Sequence, residues 1–377
     1  MSSSPTTACL PAALADSCGS RLLDLLKTVP DPRARRGRRH ALGSVLAVGL
    51  AAVIGGAKSF VAIGEWVAHQ PIETLRILGV TAAAGPDEST IRRVFARLDS
   101  DLLDQLVGAL MWTRTHTVAT RRVIALDGKT VRGARSKTTT APHLVAALDQ
   151  HTGAVVGQLA VTAKSNEIPA VQGLLKLFDL TDVVVTVDAM HTQTDTAQQI
   201  TTAGGDYVFT VKANQPKLFR ACKNLPWKDV PHHTTTSHGH GRRTTRTIKV
   251  TTAPVWVEFT GATQIAQLRR TVTRNGKKTI EVVYLITSAD HQAAPPATLA
   301  AWVRGHWGIE NRLHWVRDVT YDEDRSQVRT GNAPHVMATL RNTAISLLRL
   351  TGAENIAQRL RHHATDPETI LNLLLTS

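Results

Sequence analysis

Apolar positions along the chain fall into two rhythms, and the elements change where the rhythm does. From Ala41 to Leu106 they recur at helical spacing, broken at Gly55, Gly56, Pro71 and the Ala-Gly-Pro at 84–86, which predicts a run of short helices. The most apolar piece, Ala41 to Ala57, is uncharged but carries four glycines and a serine. It only just approaches spanning length, so a buried helix fits better than a membrane segment. Asp87, Glu88 and Ser89 start a further helix over TIRRVFARL. Ile91, Val94, Phe95 and Leu98 share one side of it, with Arg92, Arg93 and Arg97 facing away. That pattern fits both a helix-turn-helix recognition helix and a plain solvent-facing one. Ahead of these, residues 1–20 read as a loose terminus and Leu22 to Leu26 as a short helix stopped before Pro30.

Near Arg121 the rhythm turns to short continuous apolar runs. RRVIALD predicts a strand ending on Asp127, and LVAALD with AVVGQLAVT a hairpin over 144–162. Asn166, Glu167 and Pro169 open a helix ending near Phe178. DVVVTVDAM follows as a buried strand with Asp188 near its end. Thr192 and Asp195 resemble a capping box for the next helix, and DYVFTVKAN is a further strand closed by Lys212. Strands alternating with helices imply a mixed α/β fold whose central sheet contains parallel pairs and is covered on both faces. Residues 217–295 read as a β-rich insertion, with RTIKV, WVEF, RRTVT and IEVVYLITS as strands and HHTTTSHGHGRR as a loop.

The stretch from Trp302 to Arg329 is the most unusual. Trp302, Ile309, Leu313 and Val316 recur at helical spacing, so its first half is expected to be an amphipathic helix. On another face His306, Glu310, His314 and Arg317 follow at offsets of four, four and three residues, one line up a regular α-helix. Trp307 and Trp315 are expected to pack into the core rather than stack on a base. VMATLRNTAISLLRL then predicts a helix packed beneath. The resulting division is a flexible terminus to residue 20, a helical basic region 21–118, a core in two parts (119–216 and 296–350) around the insertion, and a tail over 351–377.

Charge narrows the partner. With 44 Lys and Arg against 30 Asp and Glu, the chain carries +14, which points to a polyanion, nucleic acid first. Arg33, Arg35, Arg36, Arg38 and Arg39 crowd one loop, VPDPRARRGRRH, and suggest a phosphate-gripping arm. Cys9, Cys18 and Cys222 form neither a disulfide framework nor a cysteine zinc site, and fit a reducing, cytoplasmic setting. His232, His233, His238 and His240 lack the spacing of a zinc site and read as a solvated loop. His306 and His314 lie roughly 12 Å apart along a helix axis and cannot share one ion.

Three carboxylates remain: Asp127 and Asp188 at strand ends, and Glu310 on the late helix. Ligand sites in open sheets form beyond strand ends. Gathered carboxylates repel unless a divalent cation joins them, and two such cations can clamp both oxygens of an in-line phosphoryl displacement.

The motifs DPRARRGRRH, GAKSFVAIGEW, ALDGKTVRG, AKSNEIPA, VTVDAMHTQ, VFTVKANQP and HWGIENRLHWVRDVTYDEDRS occur in this order between about Pro30 and Arg349. In them the chain resembles an insertion-sequence DDE transposase of the H-repeat-associated type, with an RNase H-like catalytic core. The resemblance implies that Asp127, Asp188 and Glu310 are the metal-binding catalytic triad. It implies Mg2+, two ions with Mn2+ able to substitute, serving water attack at the element's ends and then attack by the freed 3′ hydroxyl on target DNA. Double-stranded DNA, as terminal inverted repeats and as target, is the implied partner, bound by a homodimer or larger assembly at the bacterial nucleoid. Broader relatives carry Tyr, Arg and Lys around the Glu; Val303, His306 and Arg317 stand here instead. DNA-backbone contacts are expected at Arg92, Arg93, Lys129, Arg132, Lys164, Lys212, Arg242, Arg243, His306, Arg317 and Arg325, besides the arginine arm. A transposase-derived DNA-binding protein without catalysis and a metal-dependent nuclease without strand transfer are the alternatives.

Overall fold

The computed structural model describes residues 21–115, 121–136, 140–162, 166–239 and 241–377. Lys164 and His240 lie outside the described residues. The chain divides into two compact units: Met1–His116 with Gly128–Ala163 and Glu310–Ser377, and Thr117–Asp127 with Lys164–Ile309.

In the first unit, α1 (Leu22–Thr28), α2 (Leu42–Ile54), α3 (Phe60–His69), α4 (Ile72–Ile77), α5 (Glu88–Arg97) and α6 (Ser100–Arg114) realise the helical rhythm. Every residue of α2 is buried, which explains its even hydrophobicity without a membrane. No helix among the described residues is long and apolar enough to cross one. Asp87 caps α5 by accepting from the Thr90 N–H at 2.7 Å. A hairpin of β2 (His143–Asp149) and β3 (Val155–Ala160) lies against α6. The approach is close: a Cβ on Gly108 of α6 would sit 2.9 Å from the Val156 carbonyl oxygen. The helix α11 (Ala333–Leu350, preceded in the chain by α10 below) is buried from Ala333 to Leu348 and packs on α2, α5, α6 and β3. Two short helices, α12 (Ile356–Thr365) and α13 (Pro367–Leu375), follow it.

The second unit is built on a mixed sheet. Its strands run in the order β1 (Arg122–Thr130), β4 (Val183–Val187), β5 (Asp206–Val211), β9 (Lys277–Thr287), β8 (Gln264–Arg274), β7 (Arg242–Thr252), β6 (His232–Gly239). The strand β1 begins here and ends in the first unit. The β1–β4 and β4–β5 pairs are parallel and the rest antiparallel. Helices α7 (Glu167–Leu175) and α8 (Thr194–Thr202) fill the crossovers, α9 (Pro216–Lys223) leads to β6, and α10 (Pro296–His306) lies on β4 and β7. Leu299 and Val303 of α10 meet Val184, Val208, Ile248, Ala266 and Leu285 in one apolar cluster.

Three expectations need correcting. WVEF is not a strand: Pro254 lacks an N–H and its carbonyl accepts from Val257 in a turn, which leaves Val255 and Trp256 exposed. The histidine-rich segment is mostly not a loop, because HHTTTSHG forms β6 along β7, with Thr234 and Thr236 facing Thr247 and Thr245. The strands of the 217–295 segment also extend the central sheet, since β9 pairs directly with β5.

Candidate functional site

In the second unit the parallel pairing of β1 with β4 ends at Leu126↔Val187, so Asp127 and Asp188 are the next residues on neighbouring strands. Asp188 follows the end of β4, but Asp127 does not end β1 as expected, because the strand runs on to Thr130. Strand spacing puts their backbones roughly 5 Å apart. Past Asp188 the chain tightens into a 3-10 turn, Ala189–His191. Lys212, just beyond β5, reaches Asp188 with Nζ 3.1 Å from Oδ1 and 3.4 Å from Oδ2. Burial acts to raise the Asp188 pKa, but the Ala189 N–H and the Lys212 ammonium outweigh it and hold the carboxyl below its ordinary value. Buried His191 lies with Nε2 3.1 Å from Glu167 Oε2. The Thr186 hydroxyl donates to the Ile124 carbonyl and meets His306 Nδ1 at 3.1 Å. His306 therefore ties α10 to β4 two residues before Asp188.

In the first unit the chain beyond α10 does not continue as a regular α-helix. Glu310–His314 and Val316–Thr320 are π-helical turns, a widening often found at functional sites. Glu310 is exposed and His314 buried, with His314 Nδ1 3.6 Å from Glu310 Oε2. Burial lowers the His314 pKa, overriding the opposing hydrogen bond to Glu310. A neutral imidazole beside a carboxylate has the chemistry of a metal-ligand pair. The sequence displayed both residues at adjacent helical positions; only the burial that keeps His314 neutral was not visible in it.

Arg317 corrects the expectation of a phosphate contact. It has no exposed surface and gives Nη2 to Glu323 Oε1 at 2.7 Å. Arg341 of α11 gives Nη1 to Glu323 Oε2 at 2.8 Å. In π turns a residue three positions on lags behind the α-helical stripe, and Arg317 accordingly leaves the line of Glu310 and His314. Glu323 is fully buried, yet the two guanidiniums outweigh burial and hold its carboxyl at about 2. Trp307 and Trp315, expected in the core, are both more than half exposed (58% and 56%), since the buried stripe is made by Ile309, Leu313 and Val316.

The remaining basic residues differ in availability. Lys129 is buried against Asp318, with Nζ 2.6 Å from Oδ2. Arg33 is drawn in by Asp31 at 2.8 Å and by the His40 carbonyl, and Arg38 caps the Arg33 carbonyl. Arg35, Arg36 and Arg39 are exposed on the same loop. Arg92 pairs with Glu88 and Arg93 bonds Ser89, both on the exposed side of α5. Arg132 and Arg325 are exposed beside Asp324 and Asp322. Arg242 and Arg243 are exposed near the turn end of β7, and the pleat sends them to opposite faces.

The fold is thus mixed α/β, with Asp127 and Asp188 carried on neighbouring parallel strands. The sequence model described as Transposase DDE domain matches residues 119–347, and the one described as DDE_Tnp_1-associated matches residues 23–111. The chain belongs to the Transposase DDE domain family. It is 33% identical to "Putative transposase YncI" of Escherichia coli O157:H7 over 345 residues, covering 87% of each chain. It is 32% identical to "H repeat-associated putative transposase YhhI" of Escherichia coli strain K12 over 346 residues, covering 87% of this chain and 90% of that one.

Proposed function

We propose that this protein is the transposase of an insertion sequence, which binds the terminal repeats of its element and performs metal-dependent cleavage and strand transfer. The observation that carries the reading is the parallel register whose last pair, Leu126↔Val187, leaves Asp127 and Asp188 as the next residues on neighbouring strands, in a chain of this family. We assign Asp127, Asp188 and Glu310 as the catalytic carboxylates, and residues 119–216 and 296–350 as the parts of the catalytic core. The donors fit a hard divalent cation, Mg2+ or Mn2+: the carboxylates of Asp127, Asp188 and Glu310 offer hard oxygen ligands, and Asp188 is kept ionised. When bound, such ions neutralise the developing phosphoryl charge and activate the attacking oxygen.

The chain's own groups do the rest. Burial disfavours the charged form of His314, so its imidazole adds no competing positive charge beside Glu310. The Lys212 ammonium offsets the negative charge of Asp188 until the phosphodiester and its counterions arrive. Exposed Arg35, Arg36 and Arg39, with Arg92 and Arg93 on α5, are suited to backbone phosphates and would set register rather than read bases. Joining two element ends calls for at least two copies.

The test is cleavage of a duplex carrying the element's own terminal repeat, with Mg2+, by wild type and Asp188→Asn. Boundary cleavage lost in the variant while binding persists is the expected result. Repeat binding without cleavage by either protein would refute the catalytic reading.

A further inference from the structure

The strand register of the second unit gathers arginines that the site above does not use. Paired residues of antiparallel strands share a face, so Arg246 of β7 and Arg270 of β8, directly opposite one another, project on the same side. Four residues along β7, roughly 13 Å, the row Arg242↔Arg274↔Lys277 projects on that side again. This is also the side covered by α10, because Ile248 of the next row packs with Leu299 and Val303. Arg304, one residue past Val303, is exposed at the border of that cover.

The charges are poorly balanced. Glu281, across from Arg270 at 3.6 Å, is the carboxylate in ion-pair contact with these guanidiniums among the described residues. Arg246 is half-buried, and its pKa is lowered first by burial and then by Arg304, Arg270 and Arg242. Like charges so placed destabilise the free protein and are relieved by a bound polyanion.

From this geometry we infer that Arg242, Arg246, Arg270 and Arg304 form a phosphate-binding face on the extended sheet, which grips the sugar-phosphate backbone of DNA away from the catalytic carboxylates. Neighbouring strands hold Arg246 and Arg270 about 5 Å apart, a spacing at which two planar guanidiniums can flank one phosphate. The second row meets the backbone further along. Arg243, on the opposite face, takes no part. An acidic protein segment could also be attracted, but rows of cations repeated along a strand suit a regularly charged backbone better. The inference rests on the reading that the chain acts on DNA, and its test concerns binding alone.

That test is the salt dependence of duplex binding by the full chain, followed by fluorescence anisotropy. Each lost phosphate contact removes about 0.9 from the slope of log K against log salt. The double variant Arg246→Gln, Arg304→Gln should lower the slope by about 1 or more whatever the duplex sequence, since the Arg304 contact is lost while Arg270 still holds the phosphate it shares with Arg246. Arg361→Gln, an exposed arginine on α12, should leave it unchanged by comparison. Arg242→Gln at the exposed strand end and Glu281→Gln cover the case in which the double variant misfolds: the first should lower the slope by about 1, the second should tighten binding. Slopes like that of Arg361→Gln in the folded variants would overturn the inference. So would retained DNA affinity with arginine-dependent capture of poly-glutamate. Asp188→Asn should keep the full slope, so a failed catalytic reading and a failed arginine face give different results.

Discussion

Replacing Glu323 by Gln should cost this protein more stability than almost any other single isosteric change. The carboxylate is fully buried between Arg317 and Arg341 and takes charge-assisted bonds at 2.7 and 2.8 Å. Its pKa falls from 4.5 to about 2. At about 1.4 kcal/mol per pKa unit, the two guanidiniums favour the charged form by roughly 3 kcal/mol. Independently, breaking one side of a buried ion network costs ~3–5 kcal/mol, because the remaining charges stay buried without compensation. In Glu323→Gln the amide nitrogen would face a guanidinium, so the upper part of that range is expected. With a urea slope of ~2 kcal/mol/M, the midpoint should fall by roughly 1.5 M or more, read by far-UV circular dichroism. A depressed folded pKa also fixes the pH window. The stabilisation is complete above 4.5 and is lost as pH falls through about 2, so wild type should lose stability over that range and the variant should lack that component. A midpoint within about 0.3 M of wild type would refute the reasoning, as that corresponds to under ~1 kcal/mol. Replacing all three residues by apolar ones of similar volume should recover much of the loss.

Lys212→Met should tighten Mn2+ binding, measured by electron paramagnetic resonance of free Mn2+, because the ammonium now on Asp188 at 3.1 Å competes with a cation there; unchanged or weaker binding would argue against that competition. His335 of α11 gives the opposite pH signature to Glu323. Burial works to lower its pKa, but the Asp104 carboxylate at 2.5 Å prevails and raises it above 6.5. Its contribution is therefore complete below 6.5 and is lost as pH rises through the raised folded value. His335→Gln should remove that alkaline decline in the urea midpoint, and a decline of wild-type size in the variant would refute the assignment. In catalysis, Asp127→Asn should match Asp188→Asn: cleavage lost, repeat binding kept, read on the same duplex.

What the sequence made legible follows from how local each determinant is. The end of β4 could be read because an apolar run stopping at Asp188 is a signal within nine residues, whereas β1 runs past Asp127 to Thr130 through residues whose polar character does not mark a strand. The all-buried α2 could be read for the same reason. The pairing of β9 with β5 could not, since the contact Val208↔Thr287 joins residues far apart in the chain. Nor could the fate of HHTTTSHG, whose polar composition says loop until β7 supplies a ladder of threonines and backbone partners.

Arg317 shows the limit most clearly. On an ideal helix the offsets 306, 310, 314 and 317 make a line of equal members, and nothing local separates a charge meant for solvent from one meant for the core. Two facts at a distance separate them. The π turns shift its phase relative to Glu310 and His314, and Glu323 and Arg341 build a buried acceptor network where that phase leads. An unpaired guanidinium could not be buried there at all, so the acid six residues on decides the arginine's role. The exposed tryptophans follow from the same geometry: with Ile309, Leu313 and Val316 filling the buried stripe, Trp307 and Trp315 are left on the outer side. Charge on this segment is thus divided by packing into a buried part, Arg317 with Glu323, that fixes the segment, and an exposed part that includes Glu310.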